Sequence, residues 1–329
     1  MKVEASYVGS RSHDAPVSSS YNSLSVANLA LGDTSKGGNP ANLNKGVPNP
    51  FQGLLPGTSL NSATVPQQQL LLPFPQFTGF TQQNSPVGKV WYNSLQVSAQ
   101  KHYSKGLGVT GSYTFSKNIQ ALNYLNPTDA APSNVIVPFD RTHVFVLAPI
   151  YELPFGPGRE FLNSSHGLLS RLVGGWQLMG NLNWMTGVPM TVPGGVNVIG
   201  NPVLDNPTAD RRFNTGLIDS TGKLVNAVGN LPPAFQIQAP FTLRTASLYF
   251  GNLRNLWGPD FNLALVKSTR IREGVSLELR AEALNALNHP LWGGDPVLAT
   301  NNPNFGKLLL NNGQTNEPRQ VQLSARIVF

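Results

Sequence analysis

The last stretch of the chain, PRQVQLSARIVF at residues 318–329, limits the fold more than any other. In an extended strand, side chains alternate between the two faces with a period of two. Val321, Leu323, Ala325, Ile327 and Phe329 then share one face. Gln320, Gln322, Ser324, Arg326 and Val328 share the other. The sequence stops on an aromatic residue with no polar tail. Termini in water usually fray, so a soluble protein gains little from ending on a bare apolar strand. The closing strand of a transmembrane β-barrel needs this pattern, apolar toward lipid and polar toward the lumen. The last strand of a soluble sandwich alternates in the same way, so both readings stand at this point.

Composition narrows the choice. Only 12% of the 329 residues are charged, about half the usual share in soluble proteins. No stretch approaches the roughly 18 consecutive apolar residues of a membrane helix. Low charge without apolar runs is what alternating barrel strands produce. The 32 Gly and 27 Pro point to turns and long loops rather than helices. With no Cys there is neither a disulfide framework nor a thiolate metal site. The formal charge is +7, but Lys and Arg are scattered rather than gathered in a basic stripe. Nucleic acid is therefore not an expected partner. The same charges suit anionic lipid head groups or an anionic solute.

Eight alternating runs are predicted as strands, near residues 2–9, 89–102, 106–118, 141–153, 174–186, 260–270, 274–287 and 319–329. In the second, Leu95, Val97 and Ala99 alternate with Ser94, Gln96, Ser98 and Gln100. A tight Gly-containing turn joins it to the third, where Val109, Tyr113 and Phe115 alternate with Thr110, Ser112, Thr114 and Ser116, forming a hairpin. The fourth is apolar on both faces, with Val144, Val146, Ala148 and Ile150 on one and Phe145, Leu147 and Tyr151 on the other. The fifth is the clearest. Trp176, Leu178, Gly180, Leu182 and Trp184 share a face, and Gln177, Asn181 and Asn183 line the other. Asn between apolar neighbours is costly in a dry core and harmless beside water. Trp176 and Trp184 stand roughly 26 Å apart along a strand at about 3.3 Å per residue. After tilting, that approaches the spacing of the two aromatic girdles of a barrel. In the seventh run Glu, Leu, Arg and Ala also favour a helix, but strict alternation from Val275 selects a strand. Glu278, Arg280 and Glu282 then share the predicted lumen face.

The connections alternate in length. Those at 10–88, 119–139, 187–259 and 288–317 are long, and those at 103–105, 154–173 and 271–273 are shorter. Outer-membrane barrels put short turns on the periplasmic side and long loops outside. A soluble sandwich has no reason to keep that parity. The fold class expected is therefore all-β, an antiparallel transmembrane β-barrel segment with long extracellular loops. The N-terminus, MKVEASYVGSRSHD, has no apolar h-region and reads as a strand in progress. A barrel chain needs an export signal, so either this is a fragment of a longer protein or the barrel reading fails.

An ordered set of motifs carries a resemblance. It comprises YNSLQ and YTFSK at 92–96 and 113–117, DRTH at 140–143, YELPFG at 151–156 and GGWQ at 174–177. It continues with GNLRNLWGP at 251–259, RAEALNALNHP at 280–290 and the closing PRQVQLSARIVF. Together these resemble the C-terminal end of large TonB-dependent outer-membrane receptors, the group with a carboxypeptidase-regulatory-like N-terminal domain. The resemblance implies a barrel of about 22 strands with a plug, of which this chain supplies eight and no plug domain. It implies outer-membrane lipid and the barrel-assembly machinery as partners, with Phe329 ending the assembly signal. The TonB complex is implied as a partner only through the missing N-terminal part. No ligand is named by the sequence.

Enzymatic chemistry is not expected. The histidines (His13, His102, His143, His166 and His289) lie far apart and show no metal-ligand spacing. No nucleophile–base constellation, cofactor motif or phosphate-cradling loop is present. Asp140 and Arg141 read as a structural pair at a strand start, and Asp210, Arg211 and Arg212 as a solvated cluster. The expected function is a part of a transporter for a bulky nutrient, a glycan product or a chelated metal. Two alternatives stand beside it. One is a self-standing eight-stranded adhesin or porin-like protein. The other is a secreted carbohydrate-binding sandwich, which requires Trp176, Leu178, Leu182 and Trp184 to be buried under a second sheet.

Overall fold

The computed structural model describes residues 1–164, 166–256, 258–309 and 314–329. Ser165, Trp257 of the 251–259 motif and positions 310–313 of the last loop lie outside the described residues. The main sheet holds eight long strands. They are β1 (Lys2–Ser20), β2 (Thr81–Ser104), β3 (Leu107–Ala121), β4 (His143–Glu152), β5 (Trp176–Met185), β6 (Gly258–Arg272), β7 (Val275–Leu284) and β8 (Gln320–Val328). Each pairs antiparallel with the next, so the sheet is an up-and-down meander in chain order. A two-residue strand, Val135–Ile136, adds to β3. Among the described residues no ladder joins β1 to β8, and the sheet has two free edges.

The register carries the alternation across every strand. Tyr151 stands opposite Leu178, Leu178 opposite Leu265, Leu265 opposite Ala281 and Ala281 opposite Leu323. Val97, Tyr113, Phe145 and Trp184 form a parallel row of the same kind. The intervening rows are polar, such as Ser6, Gln96 and Thr114, or Asn183 and Asp260. A slip of one residue would exchange the faces, so the pattern fixes the pairing. The register also settles β4, whose own periodicity is ambiguous. Val144 and Val146 lie opposite Thr114 and Ser112 on the polar face, and Phe145 and Leu147 complete the apolar one.

The largest differences from the sequence expectation are at the first connection and at the end of β7. The connection predicted over 10–88 is shorter, because β1 runs on to Ser20 and β2 starts at Thr81, still paired. A membrane crossing takes about 9–11 residues of tilted strand, whereas these strands have 19 and 24. The excess is longer than a crossing needs, and alternation is lost there. Bulges interrupt this part, with Asp14 and Asn84 at φ of 58°. The strand predicted to reach residue 287 ends at Leu284, because Asn285 turns left-handed at φ 45°. Its side chain bonds the carbonyls of His289 and Glu317, which stops the ladder.

Up-and-down pairing gathers the four long connections at one end of the sheet and the turns Ser104–Leu107 and Arg272–Val275 at the other. At the first turn Lys105 and Gly106 both have positive φ, 52° and 78°. That is the type I′ geometry matching strand twist.

Burial is reversed from that of a soluble sheet. On the polar face Ser94, Ser116, Ala264 and Val266 are buried. On the apolar face Leu95, Phe115, Leu178, Leu265 and Leu279 are exposed. The hydrophobic core lies instead in the long connections. Met190, Val196, Phe213, Phe235, Phe250 and Phe305 pack there, several with no exposed surface. Phe213 contacts both Phe235 and Phe305 edge to face.

The GGWQ motif has a backbone reason. Gly175 enters β5 at φ +74°, and a Cβ there would sit 2.2 Å from the Ser268 carbonyl oxygen of β6. Gly174 abuts Gly156 of the YELPFG motif, where a Cβ would lie 2.7 Å from the Gly174 Cα. We expect Gly175→Val to lower the amount of folded, heat-modifiable protein recovered from outer membranes. Gly194→Val, which meets open space, should leave recovery unchanged.

Candidate functional site

Three surfaces are candidates: the apolar face, the polar face and the cap of long connections. On the apolar face Leu178 is 41% exposed and Trp184 47%, and among the described residues no second sheet lies over them. The soluble sandwich required both to be buried. Trp184 sits at the cap end of β5, beside a recess of about 300 Å³ lined by Tyr113, His143, Phe145 and Met185. The Tyr113 hydroxyl and His143 Nδ1 are 2.7 Å apart. Trp176 sits at the turn end, opposite Lys267. Its indole N–H donates to the Leu172 carbonyl at 2.8 Å, and Lys267 Nζ lies 5.4 Å from its ring centre. Val321, Leu323, Ala325 and Ile327 of β8 extend the same face opposite Ala283, Ala281, Leu279 and Leu277. Phe329 follows the strand and is 93% exposed.

On the polar face, Glu278, Arg280 and Glu282 occupy alternate positions of β7. Arg280 Nη2 donates to Glu282 Oε1 at 2.6 Å, and Glu278 faces Arg326 of β8. With Arg326 of β8 they make a charge-balanced stripe of two carboxylates and two guanidinium groups across two strands. They are not gathered into a pocket with the loop charges.

The cap is built on a buried ion pair that joins two of the sequence motifs. Asp140, from DRTH, has its side chain 1% exposed and pairs with Arg254, from GNLRNLWGP, at 2.6 Å. The other Asp140 oxygen accepts from the Asn118 N–H at 2.8 Å. Arg254 also donates to the Asp140 and Gly187 carbonyls. The sequence reading paired Asp140 with Arg141. The structure corrects this, because Arg141 turns to the Thr186 carbonyl at 2.8 Å. Burial, and then the Arg254 charge, hold the Arg141 pKa below its ordinary value.

The cluster at 210–212 is also corrected. Asp210 is exposed, but Arg212 is buried, its backbone N–H donating to the Gly306 carbonyl and its Nη2 to the Arg254 carbonyl. Burial lowers its pKa. The local sequence shows no sign of this, because the partners are distant in the chain, Arg254 at a separation of 42 residues and Gly306 farther still.

The four connections touch one another. Gly32 lies against Phe241, Asn126 bonds Arg244 in both directions, and Asp295 accepts from the Thr191 N–H and from Asn255. The long loops are therefore one folded cap rather than separate tethers.

An eight-stranded antiparallel meander has one end capped and an apolar face bare. The family model for an outer membrane beta barrel domain matches residues 1–322. The chain belongs to the outer membrane beta barrel domain family. Its place is accordingly the outer membrane. Among solved structures it is similar to the outer membrane transporter YddB from Escherichia coli, with 11% identity and a TM-score of 0.38. That similarity covers 99% of this chain and 30% of the transporter chain. No curated protein matches the sequence.

Removing one partner of a buried ion pair leaves an uncompensated charge and costs about 3–5 kcal/mol. We expect Arg254→Met to speed hydrogen exchange of cap amides at 190–198 by about two orders of magnitude or more. Asp140→Asn combined with Arg254→Met should recover part of the protection.

Proposed function

We propose that this chain is the C-terminal barrel portion of a TonB-dependent transporter for a bulky nutrient, a glycan product or a chelated metal. The observation that carries the reading is the open eight-stranded sheet, apolar over most of one face and unpaired at both edges among the described residues. An unpaired strand edge in lipid leaves backbone groups unsatisfied, so only closed barrels span a membrane. Further strands closing on β1 and β8 meet that need. A self-standing eight-stranded barrel requires a β1–β8 ladder instead. On this reading the apolar face meets lipid, with Trp176 and Trp184 near its two borders. Glu278, Arg280 and Glu282 face the lumen, where water and a passing solute screen them. The cap stands outside the cell, and the turns face the periplasm. Val321, Leu323, Ala325, Ile327 and Phe329 form the strand that the assembly machinery engages. Energy from the TonB complex reaches it through a plug.

The absence of Cys makes the orientation simple to test. Thr221→Cys in the cap should react with an impermeant maleimide on intact cells. Lys105→Cys in the turn should react only after the outer membrane is opened. Transport is tested by deleting the gene and measuring growth on oligosaccharides as sole carbon source, or on ferric citrate as sole iron source. The reading expects a defect on at least one that is matched by loss of TonB. Wild-type growth on all of them, or labelling of Lys105→Cys on intact cells, contradicts it.

A further inference from the structure

The connection between β4 and β5 carries a feature the barrel reading does not use. The helix Gly167–Val173 has Leu168, Leu169 and Leu172 exposed at 80%, 53% and 67%. At about 100° per residue these three fall within one arc of roughly 100°. Nearby, Phe155 and Phe161 pack against each other and are also exposed. An exposed cluster of this kind marks an interaction surface.

Its position identifies the partner. The helix is tied at its C-terminal end to the apolar face of the sheet. Lys267 Nζ donates to the Arg171 carbonyl at 2.6 Å and also to that of Gly174. The Trp176 indole donates to the Leu172 carbonyl. Lys267 and Trp176 are opposite one another in the register and share the face of Leu178, Leu265 and Leu279. Lys267 is itself buried. A cation there satisfies carbonyls that the last helical turn leaves free. The three leucines are thus held beside the outward apolar face, at its turn end, and continue it. Lys101, Lys105, Arg171, Arg270 and Arg272 stand at the same end, against Glu152, Glu160 and Glu273. The cationic excess is complementary to lipid phosphates.

We propose that the helix Gly167–Val173 is an interfacial membrane anchor. Its leucines sink into the head-group and upper acyl region of the periplasmic phospholipid leaflet, and Arg171 reaches back to the phosphates. A helix with apolar and basic faces lies in this plane, buried about 5–10 Å. Lys267 and Trp176 fix the helix to the strand, so the anchor sets the height of the barrel in the bilayer. The inference rests on the orientation proposed above.

The test uses the full outer-membrane protein, purified and reconstituted in vesicles of phosphatidylethanolamine and phosphatidylglycerol. Single variants Leu169→Cys and Leu172→Cys carry an environment-sensitive fluorophore. Leu265→Cys at mid-strand and Thr221→Cys in the cap carry the same label. The helix labels should show blue-shifted emission and be quenched more by lipids spin-labelled near the head group than by lipids labelled deep in the chain. The Leu265→Cys label should show the reverse depth preference, and the Thr221→Cys label should stay unquenched. Aqueous emission from both helix labels beside a quenched Leu265→Cys label overturns the anchor and leaves the barrel reading standing. A blue shift without lipid quenching assigns the helix to a protein partner and also overturns the anchor. An unquenched Leu265→Cys label overturns both readings.

Discussion

Everything in this structure depends on where the apolar face of the sheet can be left bare. Backbone N–H and C=O groups within the ladders are satisfied by their neighbours, whatever solvent lies outside. The side chains are not indifferent. Burying apolar surface is worth roughly 25 cal/mol per Å², so Leu178, Leu265, Leu279 and Phe115 would destabilise the sheet if they faced water. Soluble sheets solve this with a second layer. Here the second layer is missing among the described residues, and Ser94, Ser116, Ala264 and Val266 are buried on the polar side. A lipid solvent removes the conflict, and membership of the outer-membrane barrel family agrees with it.

That solvent also explains where the core went. A sheet whose outer face is lipid and whose inner face is wet has no interior of its own. The aromatic cluster around Phe213, Phe235 and Phe305 forms in the connections, where water does drive apolar groups together. The cap then needs a link to the strands. Asp140 at the start of β4 and Arg254 before β6 supply it, with Asn118 of β3 as a third partner. Motifs that look unrelated in the sequence are contact partners. DRTH meets GNLRNLWGP through an ion pair, and YELPFG meets GGWQ through two glycines in close approach.

The strands were legible because period-two alternation is imposed locally by the solvent on each face, residue by residue. All eight were found, and the faces of β2, β5, β7 and β8 read directly. Legibility failed where that cause is absent. The outer halves of β1 and β2 extend past the length of a crossing, and the Ser, Pro and Asn there carry no alternation. β4 is apolar on both sides, and only its neighbours' register tells Val144 from Phe145. The cap was invisible for a different reason. Its contacts join residues more than a hundred apart, such as Asn126 with Arg244. Nothing in the local sequence distinguishes a buried Arg212 from an exposed Arg211. The charges of Glu278, Arg280 and Glu282 were placed on a common face, but their pairing is a property of side-chain reach.

The most direct measurement is a scan of single cysteines through Trp176–Met185 in the membrane-embedded protein, each carrying a nitroxide. Collision with oxygen, which concentrates in lipid, is compared with collision with a water-soluble nickel complex. The account predicts oxygen maxima at Leu178 and Leu182 and nickel maxima at Gln177, Asn181 and Asn183, in strict alternation. Uniform nickel accessibility along the strand, or burial of both sets from both reagents, would contradict a lipid-facing sheet.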